Sequence, residues 1–271
     1  MTVKTASDGT RFEVLEGPGP VVVLVHGLGL NRHMWQWQSN ALAEHYTVIS
    51  YDLFGHGESP SPPQTPSLAL FSSQLRRLID EVNVPKAAIA GFSLGGMIAR
   101  RFAMDHGSRL WALAILHSAH KRDQAAHDAI QSRVHQARRD GPAATVDAAL
   151  ERWFSKSFHN ANPKTMQQVR DWVMANSKDI YPDIYQVLVD GVGELIAPSP
   201  AIQCPTLVMT GSEDYGNSVE MTHAIAAEIP GAKTVILPSL RHMAMAEDPA
   251  RFNSELLEFL QHAEQEGADG G

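Results

Sequence analysis

The chain has 271 residues, 44% of them apolar and 19% charged, with a net charge of -8; that length holds one large or two modest domains with a full core, and the acidic balance argues against nucleic acid or an anionic membrane as partner, since both need clustered Lys and Arg. A single cysteine, Cys204, excludes an internal disulfide and fits a reducing compartment. The opening MTVKTASDGTRFEVLEG lacks the apolar core of a secretory signal, and no apolar run approaches the roughly 20 residues of a membrane span, so a soluble, cytoplasmic protein is expected.

In chain order, TVKTA and RFEVLEG flank Ser7-Asp8-Gly9, a turn signal between two alternating runs, which predicts an opening hairpin. Val21 to Gly27, VVVLVHG, is a continuous β-branched run of the kind buried on both faces of a sheet. Similar runs recur as YTVISYD, KAAIAGF, WALAILHSA, PTLVMTGS and KTVILPS. Helical periodicity fills most of the intervals, as at Leu68 to Val82, Gly95 to Asp105 and Ser218 to Glu228. That alternation predicts an α/β protein with a doubly wound, mostly parallel sheet.

From about His120 to Pro198 no strand-like run occurs; four helical pieces fill the stretch, around QAAHDAIQSRVHQARR, AATVDAALERWF, PKTMQQVRDWVMAN and IYQVLVDGVGEL. A crossover between two strands needs far less chain. We expect a helical cap (lid), residues 120–198, inserted in a core of residues 1–119 and 199–271; the alternative is an elaborated crossover on the sheet flank. The polar tail EQEGADGG is expected to fray.

Chemistry concentrates where strands end. Gly91-Phe92-Ser93-Leu94-Gly95 directly follows a strand and opens a helix, the context in which a strained turn lifts a serine hydroxyl above a sheet. The backbone N–H of Leu94, first in that helix, then faces a developing oxyanion. A serine needs a base. Of thirteen histidines, His242 stands in a loop after the strand KTVILPS, at the sheet edge where open α/β folds bind ligands. PTLVMTGSEDYGN supplies the orienting acid past another strand: Asp214, with Glu213 as the neighbouring alternative. Nucleophile, acid and base come in that order. The loop HGLG after the first central strand offers the backbone N–H of Leu28 as a second oxyanion donor; it matches neither glycine-rich phosphate-loop pattern.

These motifs together, VHGLGLNRHMW, YDLFGHGES, GFSLGGM, CPTLVMTGSED and HMAMAEDPARF, make the chain resemble the α/β-hydrolase superfamily from about Val21 to Leu260. Within it the chain is similar to the 3-oxoadipate enol-lactonase-like group and related carboxylesterases and lactonases, through HGLG…MW, SLGGM and the segment LERWFSKSF. The resemblance implies an eight-stranded core, a helical cap and a Ser93–His242–Asp214 triad with no metal or organic cofactor; Trp153 matches a cap tryptophan that lines the pocket. Two departures stand out. Arg241 occupies a position that is usually glycine, and the proline that commonly follows the acid loop is missing from EDYGNSVE. Candidate pocket residues are Trp35, Met97, Trp153 and Phe154, with Arg152 and Arg241 as candidates for a substrate carboxylate.

The expected activity is hydrolysis of a small-molecule ester or lactone through an acyl-enzyme. Two alternatives stay open: a C–C bond hydrolase of meta-cleavage diketone acids, although Met243 replaces the tryptophan that commonly follows the histidine there, and a ligand receptor with slow hydrolysis. Oligomeric state is open, a homodimer included.

Overall fold

The structure is a computed structural model and describes residues 2–269. The strands are β1 (Thr2–Thr5), β2 (Arg11–Leu15), β3 (Gly19–Val25), β4 (Tyr46–Tyr51), β5 (Ala87–Phe92), β6 (Leu110–Leu116), β7 (Thr206–Gly211) and β8 (Lys233–Leu237). Among the described residues they form one eight-stranded sheet in the order β1-β2-β4-β3-β5-β6-β7-β8. β1 and β2 are the expected hairpin, and β2 runs antiparallel to β4. From β4 to β8 every pairing is parallel.

The continuous apolar runs follow from helices covering both faces. Val23, Val25, Ile89, Leu113 and Ile115 point into one core layer, filled by α2 (Leu68–Glu81) and α3 (Leu94–His106). Val22, Leu24, Ala88, Ala90, Ala112 and Ala114 point into the other. The alternation is the two-residue period of a strand with apolar partners on each side. Alanine at four facing positions of β5 and β6 leaves room for Phe252, Leu256 and Phe259 of the last helix, which share that layer. Local signals start the helices: Ser67 caps α2 by accepting from the Leu70 N–H, and Ser218 caps α9 (Val219–Ala227) by accepting from the Met221 N–H. Short α1 (Ser39–Ala43) follows β3, and α10 (Ala244–Glu247) and α11 (Pro249–Asp269) follow β8.

Between β6 and β7 lie α4 (Gln124–Asp140), α5 (Ala143–Trp153), α6 (Lys156–Ala161), α7 (Pro163–Met174) and α8 (Tyr181–Asp190), with no strand among them. The stretch contains one helix more than its periodicity predicts. α6 is too short to show a period, and is announced by the Ser155 cap alone, which accepts from the Phe158 N–H. α4 packs on both α5 and α8. The tail also differs from expectation: α11 continues through Asp269, and Gly270 and Gly271 lie outside the described residues. Among the described residues no helix is long and apolar enough to cross a membrane.

Candidate active site

Ser93 sits at the junction of β5 and α3 with φ 55° and ψ -113°, a left-handed backbone rare for a residue with a side chain. The flanking glycines make the turn possible. A Cβ on Gly91 would lie 2.2 Å from the Gly95 carbonyl oxygen, and one on Gly95 would lie 2.2 Å from that of Val25. Two anchors hold the turn: the Ser93 N–H donates to the Leu116 carbonyl, and the Ser93 carbonyl accepts from Gly96 and Met97.

His242 lies in the loop after β8, nearly buried, with its ring centroid 4.7 Å from that of Phe92 and 6.0 Å from that of Trp153. Its Nδ1–H donates to Asp214 Oδ2 at 2.7 Å. Asp214 follows β7 and is buried. The backbone N–H groups of Gly216 and Asn217 donate to its Oδ1 at 3.1 and 3.0 Å. Burial opposes the charge of this carboxylate, yet His242 and the nearby His117 outweigh it and hold the carboxyl well below the usual range. Between the two acids that the sequence left open, Asp214 is the one that meets His242. Glu213 turns outward to Arg241, 3.7 Å away.

A second imidazole reaches the same oxygen. His117, fully buried just past β6, donates through Nδ1 to Asp214 Oδ2 at 2.9 Å. Burial lowers its pKa against the pull of Asp214, and its Nε2 has no partner. His117 is a site residue that the sequence motifs do not mark, although a polar residue directly after a parallel strand is itself a signal. The ligand atoms of His117, Asp214 and His242 lie within 4.8 Å of one another, the spacing of a metal trio. Here they are engaged with one another by hydrogen bonds.

The loop after β3 lies against the elbow: a Cβ on Gly27 would meet the Phe92 ring at 2.9 Å and Ser93 Cβ at 3.2 Å. Two buried imidazoles hold that loop. His26 Nδ1 bonds the Gly27 carbonyl while its Nε2 accepts from Leu53 N–H, and His56 Nε2 accepts from Gly29 N–H at 3.0 Å. Each ring must therefore be neutral, and burial lowers their pKa values to about 4 and about 3. Among the described residues the backbone N–H groups of Leu28 and Leu94 have no acceptor.

Leu28, Ser93, Trp153, Asp214 and His242 line a cavity of about 100 Å³, closed from the other side by α4, α5 and α8 through Arg133, Arg152 and Tyr185 among others. Three expected lining residues go elsewhere. Trp35, Met97 and Phe154 are fully buried in the core layers beside the sheet. Arg241 is absent from the lining as well: its Nη1 donates to the Glu151 and Phe154 carbonyls at the end of α5. The sequence missed Arg122 and Arg133, which do line the cavity. Nothing in the local pattern of α4 says which of its arginines turns inward.

A strained serine after the parallel strand β5, a histidine–carboxylate pair from the ends of β8 and β7 and a helical roof belong together. A family model for the alpha/beta hydrolase family matches residues 22–255, and the chain belongs to that family. Among similar proteins is (E)-2-((N-methylformamido)methylene)succinate hydrolase of Acinetobacter baylyi, 26% identical over 260 residues, covering 96% of this chain and 97% of the relative. The solved enol-lactonase from Burkholderia xenovorans LB400 is 26% identical with a TM-score of 0.86, over 96% of this chain and all of that one. A thermophilic esterase from Thermogutta terrifontis is also 26% identical, with a TM-score of 0.84 over 96% of each chain.

Proposed function

We propose that the protein is a serine hydrolase that cleaves a carboxylic ester or lactone through an acyl-enzyme. The observation that carries this reading is the left-handed Ser93 on its elbow, lining one cavity with a histidine whose Nδ1 is engaged by a buried carboxylate. His242, its Nδ1 occupied, has Nε2 left to take the Ser93 proton as the hydroxyl attacks the carbonyl. Asp214 stays ionised, fixes the His242 tautomer and stabilises the imidazolium. The unsatisfied N–H groups of Leu28 and Leu94 receive the oxyanion, each such donor being worth about 3 kcal/mol. The alcohol leaves with the proton from His242. Water then attacks the acyl-enzyme with His242 again as base, and Ser93 is released. Residues 120–198 act as a cap that shapes the acyl site and excludes bulk water, with Trp153 over the catalytic histidine. The named activities of the enol-lactonase and the esterase favour an oxygen-ester bond as the one broken.

The test is turnover of an ester and lactone panel that also contains a vinylogous diketone acid. Ser93→Ala should lower kcat on the best substrate about 10⁴-fold or more while the circular dichroism spectrum stays unchanged. An activity-based phosphonate should label wild type at Ser93 alone. Wild-type turnover by Ser93→Ala would overturn the mechanism, and cleavage of the diketone acid alone would reassign the bond to carbon–carbon.

A further inference from the structure

The roof of the cavity carries an unusual concentration of positive charge. Arg122 precedes α4, Arg133 lies on α4 and Arg152 on α5, and all three line the cavity with Ser93 and His242. Elsewhere in the molecule arginines are matched by acids: Arg32, Arg77, Arg100, Arg101, Arg109 and Arg170 each have a carboxylate within ion-pair distance. Among the described residues Arg122, Arg133 and Arg152 have none, and the remaining unpaired arginine, Arg251, is exposed on α11.

Each of the three makes one hydrogen bond to protein. Arg122 Nη1 donates to the Leu188 carbonyl at 2.8 Å, Arg133 Nε to Tyr185 Oη at 3.1 Å, and Arg152 Nη1 to the Ala148 carbonyl at 2.8 Å. Most of each guanidinium's five N–H groups have no protein acceptor. The groups are also close enough to act on one another. Burial and the Arg133 charge lower the pKa of Arg122 to about 10, and the same two causes lower that of Arg152. The one acid of the cavity, Asp214, is saturated by two imidazoles and two backbone N–H groups. Three half-buried cations held together without a counter-ion are costly unless an anion comes to them.

Resting on the serine-hydrolase reading above, we propose that the substrate's acyl chain carries a carboxylate, bound beneath the cap by Arg122, Arg133 and Arg152 while its ester carbonyl faces Ser93. A planar fork of N–H groups matches a carboxylate in two-point contact. The reaction balances as ordinary hydrolysis: water and the half-ester give an alcohol and a dicarboxylate, with no further reactant. The product gains a second charge, and Arg241, engaged by the α5 carbonyls and Glu213, takes no part.

The experiment compares two esters of matched shape, monomethyl glutarate and methyl 5-methylhexanoate, in which an isopropyl group replaces the carboxylate. Wild type should prefer the anionic ester in kcat/KM. Arg133→Gln and Arg152→Gln should each lower that preference roughly 10- to 100-fold, chiefly through KM, with Arg133→Lys restoring part of it. Arg241→Gln should leave the ratio of the two esters unchanged. Glutarate should also raise the melting temperature of Ser93→Ala protein, and not that of the same protein also carrying Arg133→Gln and Arg152→Gln. A preference that stays within twofold of wild type in both folded arginine variants, or glutarate stabilisation unaffected by them, overturns the proposal. Turnover that survives Ser93→Ala would instead overturn the serine mechanism, and the glutarate shift would still report on the arginines.

Discussion

Asp214 is the residue on which the candidate site converges, because its Oδ2 accepts from two imidazoles while its Oδ1 accepts from two backbone N–H groups. Every oxygen lone pair of consequence is satisfied by donors, an environment that favours the ionised form over any protonated one. Replacing Asp214 by asparagine keeps the shape but turns an acceptor into a donor toward His242, so the ring takes the wrong tautomer. Asp214→Asn should lower kcat by about 10⁴-fold, while Glu213→Gln, on an exposed side chain paired with Arg241, should stay within a few-fold of wild type. Steady-state kinetics on one ester decides it; equal losses in the two variants would remove Asp214 from its role. Ser93, Asp214 and His242 were legible because each lies just past a strand whose apolar run marks where the chain leaves the sheet. Arg122 and Arg133 were not legible. They become neighbours only when α4 packs on α5 and α8, and the pattern of a polar-faced helix does not state which charge turns inward.

At the scale of elements, α5 is tied to the loop that carries His242. Arg241 donates to two carbonyls at the end of α5, the Met243 N–H donates to the Trp153 carbonyl, and Glu247 accepts from the N–H groups of Ser155 and Arg241. A cation on the last carbonyls of a helix is the favourable end for its charge. The sequence suggested a substrate contact for Arg241 because it replaces glycine beside His242; the structure shows its guanidinium engaged by backbone carbonyls instead. Strands and long helices were legible for the opposite reason, since their periods depend on the neighbouring layers alone, whereas a loop-to-helix tie depends on two elements meeting nearly 90 residues apart. Arg241→Gln should cost about 1–3 kcal/mol in urea unfolding, and should speed amide exchange in α5 before it does so in β5 or β6. Uniform exchange across the molecule would show that no such tie exists.

Stability of the whole molecule in mild acid follows from histidines the chemistry does not use. His26 and His56 accept backbone N–H groups through Nε2, so protonating either ring breaks a bond that holds the loop carrying Leu28. Their pKa values are lowered by burial to about 4 and about 3, and that of His117 is lowered too. The unfolded chain binds protons at these rings below about pH 6.5 while the folded protein does not. Stability is therefore fully present above that pH and is lost as pH falls toward the folded values, by up to about 1.4 kcal/mol per pH unit for each ring. Asp214 adds nothing in this window, since its own contribution fades only below the ordinary carboxylate range. Between pH 6 and pH 5 the unfolding free energy should drop by roughly 2–3 kcal/mol, measured by urea titration at fixed ionic strength. His56→Gln, whose amide oxygen can still accept from Gly29, should flatten that slope by about 1 kcal/mol per pH unit. A wild-type stability that stays level from pH 7 to pH 5 would mean the two rings are protonated in the folded protein, and with them the hydrogen bonds that hold the HGLG loop against Ser93 would have to be abandoned.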